Sequence, residues 1–390
     1  MSEPIVRIAA RGDGVTASGR YAALAAPGDL LSDEGLVTPG PNHQQPPCRH
    51  FPECGGCQLQ HVTDEAYRDY LRDRVAGALA QHGLESAIRE PHLSPPNSRR
   101  RAALRAMKAG NRVVIGFNAE RSTNVVDMRE CHVLRPELFA LVDPLRKLLA
   151  VLLKPRRTGQ VQLTLADQGV DLLLKGVDMP GLEAVEAVTE FCERHSLARL
   201  ALDQGFGAEP FYEPQPVTIS LSGRPVSLPV SAFLQATEDG EAALVAAVRE
   251  AVGDAARTAD LFSGLGTFAL ALEGQVHAAE ASRDAVIALK RAAPSMTVEH
   301  RDLYRRPLDA AELQRFDAVV LDPPRAGAPD QAAQLARSAV SRIAYVSCNP
   351  ATFARDASTL ADGGYRLQWV RPVGQFRWST HVELAAAFTR

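Results

Sequence analysis

The residues best able to carry out chemistry are a cluster of cysteines and a group of acids and a thiol in the C-terminal half. Three of the six cysteines lie within ten residues, in the stretch CRHFPECGGC at 48–57. Thiols at this spacing can hold a metal, form a disulfide or do neither. The N-terminus lacks an apolar signal segment, so we expect a reducing cytoplasm, where clustered cysteines favour metal binding or catalysis over disulfides.

A glycine-containing turn in ADLFSGLGTFAL is typical of a small-molecule site. A predicted strand ends there and enters a predicted helix through Gly264 and Gly266, so the backbone can approach a ligand closely. Glu280 ends the next predicted strand, where a carboxylate can bind ribose hydroxyls, and Asp302 follows the third strand, near an adenine edge. Because the G-x-G-x-x-G fingerprint is missing, these acids favour S-adenosylmethionine over NAD, although either acid alone could be a helix N-cap.

The following strands end in residues suited to nucleophilic catalysis. Asp322 opens the Asp-Pro-Pro loop of FDAVVLDPPRAG, whose prolines keep it extended. Cys348 follows the strand RIAYVS and is either a packed small apolar residue or a reactive thiolate at a cleft. Glu383, preceded by His381, begins the last strand and could be a general base.

The elements that must position these residues form an α/β domain. Beyond about residue 235 the chain alternates nearly continuous apolar strands with helices, which is typical of a doubly wound parallel sheet. Residues 100–230 are rich in short strands, with helices predicted at 136–153 and 181–195. A helix with Thr63 or Asp64 as N-cap and Gly83 as its stop follows the cysteines, and residues 4–33 predict two or three strands.

Composition and charge narrow the class of protein. The chain is 46% apolar and 23% charged, which is typical of a soluble globular protein, and no apolar run is long enough to span a membrane. The net charge is -3, but residues 91–160 carry 14 Lys and Arg against 5 Asp and Glu. This basic segment is either a solvated face or a surface that contacts phosphates.

In this order, the motifs DLFSGLGTF, LDPPRAG, SCNPATFARD and STHVE resemble those of the RNA uracil-5-methyltransferases, specifically the bacterial 23S rRNA enzymes of the RumA/RlmD type. The stretch CRHFPECGGCQLQHV resembles the iron-sulfur segment of that subgroup. The resemblance implies a class I S-adenosylmethionine-dependent methyltransferase domain at 231–390. It also implies an iron-sulfur segment, connecting helix and β-rich RNA-binding domain at 46–230, and a shortened TRAM-like or OB-like β unit at 1–45.

The resemblance also implies roles for individual residues. Cys348 would add to C6 of a uridine, so that C5 can take the methyl group, and Glu383 would remove the C5 proton. Asp322 would lie between the cofactor and the base. The implied cofactor contacts are Gln235, Phe262, Gly264, Gly266, Thr267, Glu280, Asp302 and Asp322.

A fourth metal ligand also follows from the resemblance. Zinc sites usually pair two short-spaced ligand couples, and the cysteine stretch offers one. Cys131 stands where the family has its fourth ligand, so that Cys48, Cys54, Cys57 and Cys131 would hold a [4Fe-4S] cluster. Zinc and the absence of a metal are the alternatives. The proposed reaction has no redox step, so we expect the cluster to be structural.

The expected partner is RNA, most simply 23S rRNA, bound by a monomer that contacts no membrane. We expect the phosphate contacts to come from Arg99, Arg100, Arg101 and Arg105. The alternatives are the same chemistry on tRNA, or a non-catalytic iron-sulfur RNA-binding factor. An iron-sulfur oxidoreductase would need the missing dinucleotide fingerprint, and a radical methyltransferase would need a C-x3-C-x2-C spacing. The family usually has Phe-Pro-x-Thr before its last acid, whereas this chain has Phe376-Arg377-Trp378-Ser379-Thr380.

Overall fold

The N-terminal residues form a small antiparallel sheet. The computed structural model describes residues 2–110 and 112–390. The sheet has the strand order β3-β2-β1-β4-β5. Its strands are β1 (Ser2–Ile8), β2 (Gly14–Thr16), β3 (Tyr21–Ala22), β4 (Leu30–Ser32) and β5 (Val37–Thr38). The prediction of two or three strands at 4–33 was too low, since four strands (β1 to β4) lie there. Three of these four are only two or three residues long and show little alternation.

The helix after the cysteines begins and ends close to the predicted residues. Helix α1 (Asp64–Ala80) has Thr63 as N-cap, with the hydroxyl oxygen accepting a hydrogen bond from the amide of Ala66. Its buried residues belong to the same core as Phe353 and Val370 of the C-terminal domain. The short strands β6 (Ala87–Ile88) and β7 (His92–Leu93) follow it.

The middle of the chain forms a six-stranded sheet with the order β13-β12-β11-β10-β8-β9. Its strands are β8 (Arg101–Ala109), β9 (Arg112–Gly116), β10 (Thr158–Ala166), β11 (Gly169–Lys175), β12 (Arg199–Asp203) and β13 (Ala208–Tyr212). This part of the chain also forms three helices: α2 (Pro136–Phe139), α3 (Val142–Leu152) and α4 (Leu182–Arg194). The helices predicted at 136–153 and 181–195 are therefore confirmed, the first as two pieces.

Alternation along the strands of this sheet separates a core face from an open face. Leu104, Val161 and Leu172 point to the core that they share with Leu149 of α3 and Phe191 of α4. On the opposite face of β8, Ala103 and Arg105 are exposed. The sheet therefore offers one face to a ligand or a partner.

The C-terminal domain is a mixed sheet covered by helices, with the order β18-β17-β16-β19-β20-β22-β21-β6 and with β7 also paired to β21. Its strands are β16 (Arg257–Leu261), β17 (Gln275–Glu280), β18 (Thr297–His300), β19 (Ala318–Leu321), β20 (Arg342–Ser347), β21 (Arg366–Gly374) and β22 (Glu383–Thr389). The helices are α5 (Glu238–Val252), α6 (Arg283–Ala292), α7 (Ala310–Leu313), α8 (Pro329–Ala336) and α9 (Pro350–Asp362), and the hairpin β14 (Thr218–Leu221) and β15 (Arg224–Ser227) packs beside α6.

The strand order of this domain confirms the doubly wound prediction. Strands β16 to β20 pair in parallel, and β22 runs antiparallel to β20 and β21. The chain order reverses between β16 and β19, which is the switch point at whose carboxyl edge α/β proteins bind ligands. We therefore expect the ligand crevice beside the ends of β16 and β19.

The helix predicted directly after β16 is not formed. The chain instead turns through Phe262, Gly264 and Gly266, whose φ angles of 64°, 54° and 92° no α-helix can contain. Only a 3-10 turn, Ala269–Ala271, follows. A Cβ on Gly266 would lie 2.5 Å from Leu289 Cδ1, so this glycine allows close packing of the turn on α6.

Arg100 ties the central sheet to the C-terminal domain. Its guanidinium donates to the Gln235 carbonyl oxygen over 3.1 Å and to Glu241 Oε2 over 2.6 Å, and its side chain is 2% exposed. The prediction that Arg100 contacts RNA phosphates is therefore wrong, because the ion pair and the surrounding core occupy the whole side chain. None of the helices in the described residues is long and apolar enough to cross a membrane.

Substitution Arg100→Met tests this tie. It removes the cation and leaves the largely buried Glu241 carboxylate without its partner, so we expect a loss of about 3 kcal/mol in the free energy of unfolding. Urea unfolding followed by circular dichroism measures it. The matched control is Arg105→Met, which makes the same change on the exposed face of β8, the strand that begins directly after Arg100. Equal unfolding midpoints for the two variants would contradict the proposed role of Arg100.

Candidate active site

A cavity of about 1200 Å³ lies at the carboxyl edge of the C-terminal sheet. Segments from the whole chain line it, including Arg11 of the N-terminal unit, Gly56 of the cysteine stretch and Ala103 on the open face of the central sheet. The predicted site residues that line it are Gln235, Phe262, Gly264, Thr267, Glu280, Asp302, Asp322, Cys348 and Glu383. Gly266 does not line this cavity and instead packs closely against Leu289.

One end of the cavity carries the two acids of the glycine turn. Glu280 accepts hydrogen bonds from the amides of Gly264 (2.9 Å) and Ser282 (2.6 Å), which fixes its carboxylate at the mouth of the turn. Asp302 accepts from the amide of Tyr304 over 3.1 Å. The rings of Tyr304 and Phe262 pack with centroids 5.4 Å apart. Two carboxylates beside an aromatic wall suit a ligand with hydroxyls and a heterocyclic base.

The other end holds the candidate nucleophile and base, which strand pairing brings together. Strand β22 runs antiparallel to β20, with Ser347 opposite Leu384. Cys348 and Glu383 are the neighbours of this pair, so they lie across from each other at the edge of the sheet. Asp322 directly follows β19, the next strand, and all three side chains line the cavity.

Burial and like charges disfavour ionisation of these three groups. Burial and the nearby Glu280 raise the pKa of Asp322 to about 7. Burial and Asp322 raise the pKa of Glu383 to about 8, against the opposing effects of Gln375 and Arg325. Burial, then Glu383 and Asp322, raise the pKa of the Cys348 thiol to about 11. The site therefore favours a cationic ligand and holds carboxyl groups that can exchange protons near neutral pH.

Arg325 is a cation of the site that sequence reasoning did not assign a role. It lines the cavity and opposes the rise in the pKa of both Cys348 and Glu383. Its carbonyl oxygen accepts hydrogen bonds from Asn349 Nδ2 (3.0 Å) and Thr352 Oγ1 (3.1 Å), so α9 holds the Asp-Pro-Pro loop. The sequence feature that could have indicated this role is the position of Arg325 directly after the Asp-Pro-Pro loop.

The loop before Glu383 differs from the family pattern and is held by other parts of the chain. The hydroxyl of Tyr67 donates to the carbonyl oxygens of Phe376 and Ser379, over 3.2 and 3.0 Å. The amides of Gln58 and Leu59 donate to the Trp378 carbonyl oxygen, each over 2.8 Å. The unusual loop therefore still presents the Glu383 carboxylate to the cavity.

The basic residues take different positions. Arg99 lines the main cavity, with its guanidinium 5.3 Å from the centre of the Phe376 ring. Arg101 is tied down by a 2.7 Å hydrogen bond to the Leu234 carbonyl oxygen. Arg105 lines an adjoining open cavity of about 740 Å³. Arg99 and Arg105 thus remain available to a ligand, and Arg100 does not.

Comparison with known proteins identifies the family. Over 99% of both chains, the sequence is 52% identical to an uncharacterized RNA methyltransferase of Zymomonas mobilis. It is 32% identical to the 23S rRNA (uracil(1939)-C(5))-methyltransferase of Pectobacterium atrosepticum, over 90% of this chain and 82% of that protein. The tRNA (Uracil-5-)-methyltransferase family model matches residues 287–390. The chain belongs to the RNA uracil-5-methyltransferases.

A solved structure of this family has the same fold. The tRNA (uracil-54, C5)-methyltransferase of Pyrococcus abyssi, in complex with S-adenosyl-L-homocysteine, superposes with a TM-score of 0.78. The two chains are 23% identical, and the match covers 100% of this chain and 99% of that one. The resemblance inferred from the motifs is therefore confirmed, and the protein is an RNA uracil-5-methyltransferase in fold and family.

The four cysteines of the predicted cluster line a single small cavity. Cys48, Cys54, Cys57 and Cys131 all line it, and all four thiols are free. Within the described chain, no group of three or more His, Cys, Asp or Glu side chains is arranged to hold a metal ion. Four thiols around one cavity nevertheless match the ligand set of an iron-sulfur cluster rather than that of a hard cation.

The two glycines between these cysteines allow a close approach. A Cβ on Gly55 would lie 2.8 Å from the Asn118 carbonyl oxygen, and one on Gly56 would lie 3.1 Å from the Phe117 ring and 3.5 Å from Cys54 Sγ. The backbone can therefore fold tightly around the thiols only with glycine at these two positions. Any cluster in this cavity would sit beside Phe117, which also lines the main cavity.

Alkylation of Cys348 tests the charges around it. At pH 9 the Glu383 carboxylate is ionised, and Glu383→Gln removes this negative neighbour. The pKa of the thiol should fall, and labelling by iodoacetamide should accelerate by up to roughly tenfold, the effect of one pKa unit. Arg325→Gln should slow labelling, because it removes the cation that favours the thiolate. Mass spectrometry of the Cys348 peptide measures both rates, and slower labelling of Glu383→Gln would refute this account.

Proposed function

We propose that the protein transfers the methyl group of S-adenosylmethionine to C5 of a uridine in RNA, with 23S rRNA as the substrate. The position of Cys348 opposite Glu383, in a cavity that a base can enter, carries this proposal. The relative from Pectobacterium atrosepticum, which is named for this reaction on 23S rRNA, supports it. The tRNA name of the family model keeps tRNA as the second candidate.

The glycine-turn end of the cavity is proposed to bind S-adenosylmethionine. Glu280 would bind the ribose hydroxyls and Asp302 the adenine edge, while Phe262 and Tyr304 would flank the adenosine. The acidic surroundings of Asp322 favour the positive sulfonium. When bound, the cofactor supplies the methyl group. The bound S-adenosyl-L-homocysteine of the Pyrococcus abyssi enzyme supports the same ligand here.

Cys348 is proposed to start the reaction by conjugate addition. Its proton passes to the Asp322 carboxylate, whose pKa of about 7 suits it to this transfer, and the Glu383 carboxylate remains free to take the C5 proton later. The thiolate forms a bond to C6 of the uracil, the π electrons of the C5–C6 bond move into the C4–C5 bond, and those of the C4 carbonyl move onto O4, which gives an enolate. C5 thereby becomes nucleophilic enough to take the methyl group.

Glu383 is proposed to finish the reaction. Its carboxylate removes the proton from C5, the C5–C6 double bond forms again, and the Cys348 thiolate leaves. The products would be 5-methyluridine and S-adenosyl-L-homocysteine. The enzyme regains its starting state when the Cys348 thiolate takes back its proton from Asp322 and Glu383 releases the C5 proton to solvent. The reaction requires the uridine to leave its base stack, because Cys348 must reach the face of C6. Phe233, which is 65% exposed at the cavity wall, offers a stacking surface for a neighbouring base.

We also propose that Cys48, Cys54, Cys57 and Cys131 hold a [4Fe-4S] cluster with a structural role. The backbone amide of Gln58, next to Cys57, binds the loop before Glu383, so an ordered cluster would stabilise the base indirectly. The five-stranded N-terminal sheet is proposed to be a TRAM-like RNA-binding unit. Ala10 and Arg11, which follow β1, line the main cavity and support this role.

Methylation of transcripts tests the reaction and its substrate. Unmodified 23S rRNA and tRNA transcripts are incubated with purified protein and labelled S-adenosylmethionine, and the product nucleoside is identified by mass spectrometry. We expect 5-methyluridine in 23S rRNA at a single mapped position. Transfer to tRNA alone would make tRNA the substrate in place of 23S rRNA, and no transfer to uridine in either RNA would refute the proposed function.

Two variants separate the proposed nucleophile from the proposed base. Cys348→Ala should lose methyl transfer and should form no covalent complex with RNA that contains 5-fluorouridine. Glu383→Gln should reduce turnover by at least roughly 10²-fold while a covalent RNA adduct accumulates. Denaturing electrophoresis detects the adduct. Adduct formation by Cys348→Ala would exclude this nucleophile.

Removal of one ligand tests the cluster. Protein purified without oxygen should contain about four iron and four sulfide per chain. Cys57→Ser should lose most of both, together with visible absorption. Cys192→Ala is the matched control, since Cys192 is a buried cysteine of α4 outside this cavity. Iron and sulfide content that is unaffected by Cys57→Ser would refute the ligand set. Finding one zinc per chain in place of iron would show that the site binds zinc and not a cluster.

A further inference from the structure

Gln375 is a buried amide behind the proposed catalytic residues, and both polar atoms of its side chain make buried hydrogen bonds. It is 2% exposed and follows β21, whereas its neighbours Gln235 (3%) and Glu383 (5%) line the main cavity. Its Oε1 accepts a hydrogen bond from the amide of Ala236 over 2.8 Å, and its Nε2 donates to Gln235 Oε1 over 2.7 Å. Gln375 thus joins the segment that carries Gln235 to the strand that precedes the Glu383 loop.

The orientation of both amides follows from a backbone donor. The amide of Ala236 can only donate, so the Gln375 atom that faces it must be the oxygen. The nitrogen of Gln375 then faces Gln235, and the Gln235 atom that accepts from it must also be an oxygen. This assignment leaves the Gln235 Nε2 amino group as the atom that Gln235 can offer to the cavity.

The surrounding structure holds this chain of hydrogen bonds in place. Arg100 donates to the Gln235 carbonyl oxygen, and Arg101 donates to the Leu234 carbonyl oxygen, so the backbone on which Gln235 sits is tied to the central sheet. A Cβ on Gly240 would lie 2.7 Å from the Gln375 Cβ, so the first turn of α5 encloses the Gln375 side chain. Neither amide can turn without breaking a buried hydrogen bond.

We propose that Gln375 sets the base specificity of the site by holding the Gln235 amide so that a donor faces C4 of the target base. This inference rests on the proposed uridine methylation. Gln375 also interacts with Glu383, which acts on C5 in that reaction. Because Cys348 acts on C6, the neighbour of C5 that remains for Gln235 to face is C4. A donor beside this position matches the O4 acceptor of uracil and opposes the amino group of cytosine.

Gln375 is a positioning residue in this proposal, since it acts on the base through Gln235. A wrongly oriented Gln235 would leave a buried polar group unpaired against uracil, at a cost of about tenfold in affinity, or about 1.4 kcal/mol. The relative affinity for uracil and cytosine therefore reports on the orientation of the amide. General loss of stability would weaken the binding of both bases alike.

The test uses the transcript that the wild type methylates and the same transcript with cytidine at the mapped position. Affinities are measured with S-adenosyl-L-homocysteine present, so that no turnover occurs. We expect the wild type to prefer the uridine transcript by about tenfold. Measured at a pH at which its carboxyl is ionised, Gln375→Glu keeps the acceptor for Ala236 but replaces the donor with an acceptor. Gln235 should then turn its Nε2 toward residue 375 and present Oε1 to the base, so the preference should fall by tenfold or more.

Gln375→Met is the matched control of similar size without hydrogen bonds. It should free Gln235 to take either orientation and reduce the preference a few-fold, and it keeps the test available if Gln375→Glu does not fold. In a Gln235→Ala background, neither change at residue 375 should alter the preference further. Folded variants that both keep the wild-type preference would overturn the inference while uridine methylation stands. A wild type that methylates no uridine would overturn both.

Discussion

The active site depends on the antiparallel pairing of β22 with β20. In a parallel sheet every strand delivers its carboxyl end to the ligand edge, and Asp322 and Cys348 arrive there in that way. Because β22 runs in the opposite direction, its first residue reaches the same edge, and Glu383 lies across from Cys348. The proposed nucleophile and the proposed base therefore share one sheet edge without a long loop to carry either of them, and the strand pairing itself limits their separation.

The position of Glu383 also depends on residues far away in the chain. The loop that precedes it accepts hydrogen bonds from Tyr67 of α1 and from the amides beside Cys57. On the opposite side, Gln375 binds the Gln235 segment, which Arg100 ties to the central sheet. Three parts of the molecule thus converge on one loop. The hydrogen bonds of Gln58 and Leu59 thus connect the cysteine stretch directly to the loop that precedes Glu383.

Much of the fold and of the site could be predicted from sequence because the signals were local. The strand-helix alternation indicated the doubly wound sheet, and the strand-end positions of Glu280, Asp322 and Cys348 indicated the crevice. The failures concern long-range contacts. Arg100 looks like its exposed neighbour Arg105 in sequence, and only its long-range ion pair with Glu241 of α5 shows that it is an internal cation. The glycine turn resembled a helix start. The sequence alone does not show that Phe262 has a positive φ, which a helix cannot contain, or that Gly266 packs against Leu289. Gln375 carried no motif, since its role exists only through Gln235 and Ala236.

Burial of the acids has a consequence for the order of events. Asp322 and Glu383 have pKa values of about 7 and about 8 because they are removed from water and lie close to other carboxylates. Near neutral pH, part of each group is therefore protonated, which reduces the repulsion in the empty cavity. A cation in the same cavity lowers both pKa values, and deprotonation in turn strengthens the binding of that cation by the same free energy. A positively charged methyl donor would therefore increase the fraction of Glu383 that can act as a base, and would also raise the fraction of carboxylate able to take the proton of Cys348. In the proposed reaction, loss of the positive charge on methyl transfer would reverse this effect, so the carboxyl group that takes the C5 proton would be stabilised in its protonated form.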